Sequence, residues 1–164
     1  MAEVGKHLGP VLYQLPSGWR ADADRFAHFL EALPRHVRHV VEFRDPSWYA
    51  PPIRALMDRR RVSMCIHDRP GSATGRDRVG PVVYMRFHGA TSKYEGDYSS
   101  ERLRGWAVWL NDQRAAGYDV YAYFNNDVGG HAPRDAVALK RAMQDVELRR
   151  RSASASALTG NRTP

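Results

Sequence analysis

The chain has a single cysteine, Cys65, so no disulfide can form within it and a small disulfide-stapled scaffold is excluded. No apolar run is long enough to cross a bilayer, and the first residues, "MAEVGKHLGP", lack the apolar centre of a secretion signal. These absences predict a cytoplasmic protein with no membrane partner. Lysine is scarce as well, confined to Lys6, Lys93 and Lys140, so arginine carries most of the formal net charge of +7. Most arginines are scattered among carboxylates. The clusters at Arg59–Arg61 and Arg149–Arg151 are small, and the second falls at an expected helix C-terminus, where cations favour the macrodipole. A solvated basic surface is preferred to a nucleic-acid footprint, which stays open as the lesser reading. No GxSxG elbow, P-loop or dinucleotide fingerprint is present, nor any internal repeat beyond a strand–helix rhythm.

What the chain does have is enough apolar residue for one domain: 164 residues, 43% of them hydrophobic. Five runs bounded by Pro, Gly, Asp or Asn have strand character: residues 10–16, 38–44, 62–68, 82–88 and 119–126. Between most of them lie helical periods. Phe26, Phe29, Leu30 and Leu33 recur at helical spacing behind a capping Asp22, and Ile53, Leu56 and Met57 do so in 49–60. Leu103, Trp106, Ala107 and Leu110 share a face between Ser99 and Gly117, and a last helix is expected to open at Pro133. Strands alternating with helices predict βαβ units and a parallel sheet covered by helices. The domain is expected to span 1–149, with the low-complexity stretch 150–164 as a disordered tail.

The stretch "VVYMRFHG" (82–89) sharpens this expectation. Side chains alternate across a strand. Val83, Met85 and Phe87 therefore form an apolar face, and Tyr84, Arg86 and His88 the other. Likewise His39, Val41 and Phe43 oppose Val40, Glu42 and Arg44. Val120, Ala122 and Phe124 oppose Tyr121, Tyr123 and Asn125, and Leu12 and Gln14 oppose Val11, Tyr13 and Leu15. Strand after strand, one face stays apolar and the other turns polar only near its carboxyl end. An open doubly wound sheet buries both faces and gives no reason for this. A barrel does, because the second face is its lumen and the carboxyl end its ligand-binding mouth. The fold class predicted is α/β, a partial TIM-type (β/α) barrel of about five parallel strands with outer helices. Gln14, Glu42, Arg44, Arg86, His88 and Asn125 would share the cavity. Asp68 ends its strand at the same level, and parity leaves open whether it or His67 faces inward. Against this, any one of these residues alone reads as a solvated strand end, and Glu42–Arg44 as a structural salt bridge.

Several stretches resemble one family, domain of unknown function 72 (YecE-like). They are "HLGPVLYQLP" (7–16), "VVEFRDPSW" (40–48), "MCIHDRPG" (64–71), "VYMRFHGAT" (83–91), "YEGDYSSERLRGWA" (94–107) and "VYAYFNNDVGGHAPRDAVALK" (120–140). They keep the family's order. The resemblance implies a TIM-type barrel and supplies no reaction. It also implies three further βα units ahead of "GPVLYQLP" that this chain lacks. The expectation is therefore that Met1 is an internal residue taken for a start, or else that the chain is a genuine fragment. The open edge beside the first strand would favour self-association.

For chemistry, Glu42 and Asp68 are candidate general acids or bases, and His88 a proton shuttle. Arg44 and Arg86 suit a carboxylate or phosphate. Asn125 and Asn126, followed by "DVGGHAP" and a helix, suggest main-chain N–H groups aimed at an anion, and Lys93 and Tyr94 could close over it. No cofactor is expected. A metal is disfavoured, because Glu42, His67, Asp68, His88 and His131 lack ligand spacing and arginines stand near them. Cys65 reads as core, as do Trp106 and Trp109, and Trp48 reads as a packing residue that could also line the mouth. The expected partner is a small anionic or phosphorylated molecule, which the mouth would bind and could process. A non-catalytic anion or nucleic-acid binder, or a truncated product without its own function, are the alternatives.

Overall fold

The computed structural model describes residues 8–69, 73–91 and 94–159. Within them the β-branched and aromatic runs form β1 (Val11–Gln14), β2 (His39–Glu42), β3 (Ser63–His67), β4 (Val82–Phe87) and β5 (Asp119–Phe124). Each strand is a little shorter than its run, because the bounding Pro, Asp and Asn residues favour turns over the ladder. All four pairings are parallel, in the order β1-β2-β3-β4-β5. Every strand lies beside its neighbour in sequence, as in a barrel wall, whereas a doubly wound sheet reverses its order at a switch point. The chain is an α/β partial barrel whose wall has open edges at β1 and β5 among the described residues.

Four helices cover the outside: α1 (Ala23–Ala32), α2 (Pro51–Arg60), α3 (Ser100–Ala115) and α4 (His131–Thr159). Asp22 caps α1 by accepting the Arg25 N–H at 3.0 Å, and Ser99 caps α3 by accepting the Arg102 N–H at 3.2 Å. The segment 49–60 does not form one helix. A 3₁₀ turn over Pro46–Tyr49 precedes α2, which starts at Pro51, where a missing N–H costs nothing. It stops at Arg61, which is left-handed at φ 54°. The last helix begins at His131, before Pro133, and runs on to Thr159 through most of the Ser/Ala-rich stretch that composition assigned to a tail. Alanine is the best helix former, and no Gly or Pro interrupts residues 134–159.

The faces follow the alternation. Val41 and Phe43 pack outward with Phe26, Leu30, Trp48 and Met57. Ile66, Val83, Met85 and Phe87 pack outward with Leu103, Trp106, Leu110 and Leu139. Phe87 stacks on Phe124 at 4.4 Å between ring centroids and meets the edge of Trp106 at 5.7 Å. Leu12, Val40, Cys65, Val82, Tyr84 and Tyr121 form a separate inner layer, so Cys65 is core and its buried thiol is pushed up well above its ordinary pKa. At Gly80 (φ 82°), a Cβ would sit 2.5 Å from the Val62 carbonyl oxygen; only glycine lets the chain enter β4 so close to β3. Among the described residues no helix is long and apolar enough to cross a membrane.

Candidate functional site

Parallel strands bring their carboxyl ends to one level, and the inward residue there on β2 is Glu42. Its side chain is wholly buried, with Oε1 2.6 Å from Arg44 Nη2 and Oε2 2.5 Å from Arg86 Nη1. Gln14 at the end of β1 accepts from both arginines, at 3.1 Å each, and Asn125 beyond β5 accepts from Arg86 Nε at 3.2 Å. His88, just past β4, is fully buried with Nε2 3.4 Å from Glu42 Oε1. Five residues from the ends of four strands thus gather about the Glu42 carboxylate. Burial alone would raise the Glu42 pKa, but His88, Arg86 and Arg44 outweigh it and bring it down to about 2. The group is a permanent anion at any ordinary pH.

The strand between them settles what parity left open. His67 turns inward, its ring centroid 6.1 Å from that of His88, with Nε2 3.3 Å from both the Phe43 carbonyl and the Tyr49 hydroxyl. Burial brings its pKa down to about 4, Glu42 opposing only in part, so the ring is neutral at pH 7. Asp68 lies behind. Its Oδ1 accepts the main-chain N–H of His88 at 2.9 Å and its Oδ2 accepts from Arg102 Nη2 at 3.2 Å. The Tyr98 hydroxyl bonds to Asp68 and accepts the Gly89 N–H at 2.9 Å. Burial shifts the Asp68 pKa upward despite these partners. Two carboxylates a strand apart therefore have opposite tendencies, one held charged and one pushed toward its neutral form.

The remaining candidates divide. Tyr94, left-handed at φ 67°, donates its N–H to the His88 carbonyl at 2.6 Å and sets its ring 5.7 Å from the imidazole. Lys93 lies outside the described residues. Asn126 is buried, and its Nδ2 donates to the Gly96 carbonyl at 2.9 Å and to Asp135 Oδ2 at 2.6 Å, which ties two loops together instead of joining the Glu42 cluster. Both His88 ring nitrogens and His67 Nδ1 are buried without a hydrogen bond among the described residues. Tyr49 was invisible to sequence reasoning, because it reaches His67 from a 3₁₀ turn whose spacing carries no face. No group of three or more His, Cys, Asp or Glu side chains among the described residues is placed to hold a metal ion.

The chain is similar to one curated protein in sequence and to solved structures in fold. UPF0759 protein YunF of Bacillus subtilis (strain 168) is 25% identical over 157 residues, covering 76% of this chain and 54% of its own length. The DUF72 family protein TM1631 of Thermotoga maritima superposes with a TM-score of 0.76 at 21% identity, covering 85% of this chain and 59% of its own. The DUF72 family protein EF0366 of Enterococcus faecalis V583 gives 0.67 at 21% identity, covering 82% and 61%. At these identities the solved structures establish the fold alone. The chain spans about half the length of the curated relative and about three-fifths of the solved ones. The family model described as "Protein of unknown function DUF72" matches residues 1–157, nearly the whole sequence, and on that match the chain belongs to the DUF72 family.

Proposed function

We propose that the mouth of this wall binds a small anionic ligand, a phosphate ester or carboxylate, and that His88 exchanges a proton with it. The observation that carries this reading is a charge imbalance. Two guanidinium groups converge on one carboxylate, so Glu42 cannot neutralise both, and Arg86 keeps a partly exposed edge, at 16% of its side-chain surface. Surplus positive charge among low-dielectric walls attracts an anion strongly. Gln14 and Asn125 hold the Arg86 fork in one orientation, so little ordering is left for binding. Glu42, fixed as an anion, is suited to orient His88 and to stabilise positive charge on it.

Orthophosphate or sulfate is the simplest probe. Removing Arg86 should weaken binding by about 1.5–3 kcal/mol, the usual worth of a charge-assisted hydrogen bond. Phe87 faces the helices, and a folded Phe87→Ala protein should bind as wild type does. Titration calorimetry on wild type, Arg86→Ala and Phe87→Ala decides it. Equal affinity in wild type and Arg86→Ala removes the reading.

A further inference from the structure

At the opposite end of the wall, where the strands begin, lies a cleft of about 480 Å³, a size that suits a small organic ligand. We propose that it is a second anion site, for a small molecule carrying two or more linked phosphates. Its walls come from the ends of α1 and α2, the loop from α1 to β2, and the starts of β2, β4 and β5, away from the mouth. Buried Val62 and Val82 make the floor apolar. The rim carries five arginines: Arg35, Arg38, Arg59, Arg60 and Arg61. Arg38 is neutralised by Asp119 at 2.7 Å and Arg60 by Glu31. Arg35, Arg59 and Arg61 have no ion pair among the described residues. Three uncompensated cations around one concavity raise its potential well above that of a mixed surface.

Arginines gather at helix ends for an ordinary reason, because they offset the carbonyls left over there. At the end of α2 main chain meets part of that need. The Arg61 N–H donates to the Asp58 carbonyl at 3.1 Å, and the Val62 N–H to that of Met57 at 2.9 Å. Arg61 also occupies a left-handed position where glycine fits best, so a long cation stands there at a conformational cost. Linked phosphates fit better than a nucleic-acid strand, because the cations ring a short concavity instead of tracking a groove.

The test is calorimetric titration of the 164-residue chain with tripolyphosphate and, separately, orthophosphate, at fixed ionic strength. Arg59→Ala and Arg61→Gly should each weaken tripolyphosphate binding about tenfold, one charge-assisted contact apiece. Neither should alter orthophosphate binding at the mouth. Arg61→Gly also relieves the backbone, so a loss of binding there cannot be a loss of fold. Arg86→Ala should show the reverse pattern, which separates this cleft from the mouth. Arg104→Ala removes one exposed charge from α3 and should leave tripolyphosphate binding unchanged. Wild-type affinity in both cleft variants overturns the proposal, as does an equal loss in Arg104→Ala. Tighter binding of a single-stranded oligonucleotide, with losses spread over arginines outside the cleft, would assign the charge to nucleic acid instead.

Discussion

Glu42 and His67 both sit where burial disfavours charge, yet they end in opposite states. Glu42 stays ionised because two arginines and an imidazole face it, whereas His67 has a carbonyl and a hydroxyl at Nε2 and stays neutral. Both weaken the fold in acid. An unfolded histidine takes up a proton near its ordinary 6.5, while folded His67 resists until about 4, so acid in that window favours the unfolded chain. Glu42 adds stability that is complete above its ordinary 4.5 and vanishes as pH falls toward 2. Stability should be flat in these two respects above pH 6.5, decline first through the histidine window, and then decline again through the carboxylate window. The histidine part is on the order of 3 kcal/mol at most. Denaturant melts across pH should show the first decline disappear in His67→Gln. If that variant keeps it, another group is responsible. Alternation alone grouped Gln14, Glu42, Arg44, Arg86, His88 and Asn125. It could not choose between His67 and Asp68, because β3 ends at His67 and the next residue is free to leave the pleat. Asn126 adjoins Asn125 in sequence, but its amide is spent on Gly96 and Asp135.

At the level of elements, the helical periods located the outer layer correctly because burial there is continuous along one face. Trp106 is the clearest case. It is 8% exposed, edge-on to Phe87 and Trp109, and covered by the Arg76 guanidinium 4.6 Å from a ring centroid. Trp106→Ala should cost about 3–5 kcal/mol, a core truncation. A loss of under about 0.5 kcal/mol in urea unfolding would mean that α3 does not lie on β4 this way. The length of α4 was the least legible feature. Serine and alanine in alternation carry no apolar period, so nothing in that stretch marks a buried face. Its propensity for helix becomes decisive only once a helix already leads into it.

For the whole molecule, the barrel character was legible from one asymmetry repeated on four strands, with each polar side chain at the carboxyl end. The two open edges have a physical consequence. Among the described residues, β1 has no strand beyond it and lies near Trp19, 41% exposed, and β5 has none beyond it and carries Tyr123, 44% exposed. Such edges template pairing with other chains. The chain by itself is expected to self-associate, with sedimentation velocity showing species that grow with concentration. A single monomeric boundary at all concentrations would contradict this.

Because each strand pairs only with its neighbours in sequence, the protein has a centre and two ends in time as well as in space. Every ladder closes over one βα unit, so ordering can spread outward without waiting for distant parts of the chain to meet. The middle is also the driest part: β2 and β3 are buried throughout, whereas no residue of β1 or β5 is fully buried. Amide exchange should therefore be slowest in β3 and in Val83–Met85 of β4, and fastest in β1 and β5, each end opening without the centre. Uniform protection across all five strands would instead mean that the wall opens only as a single unit.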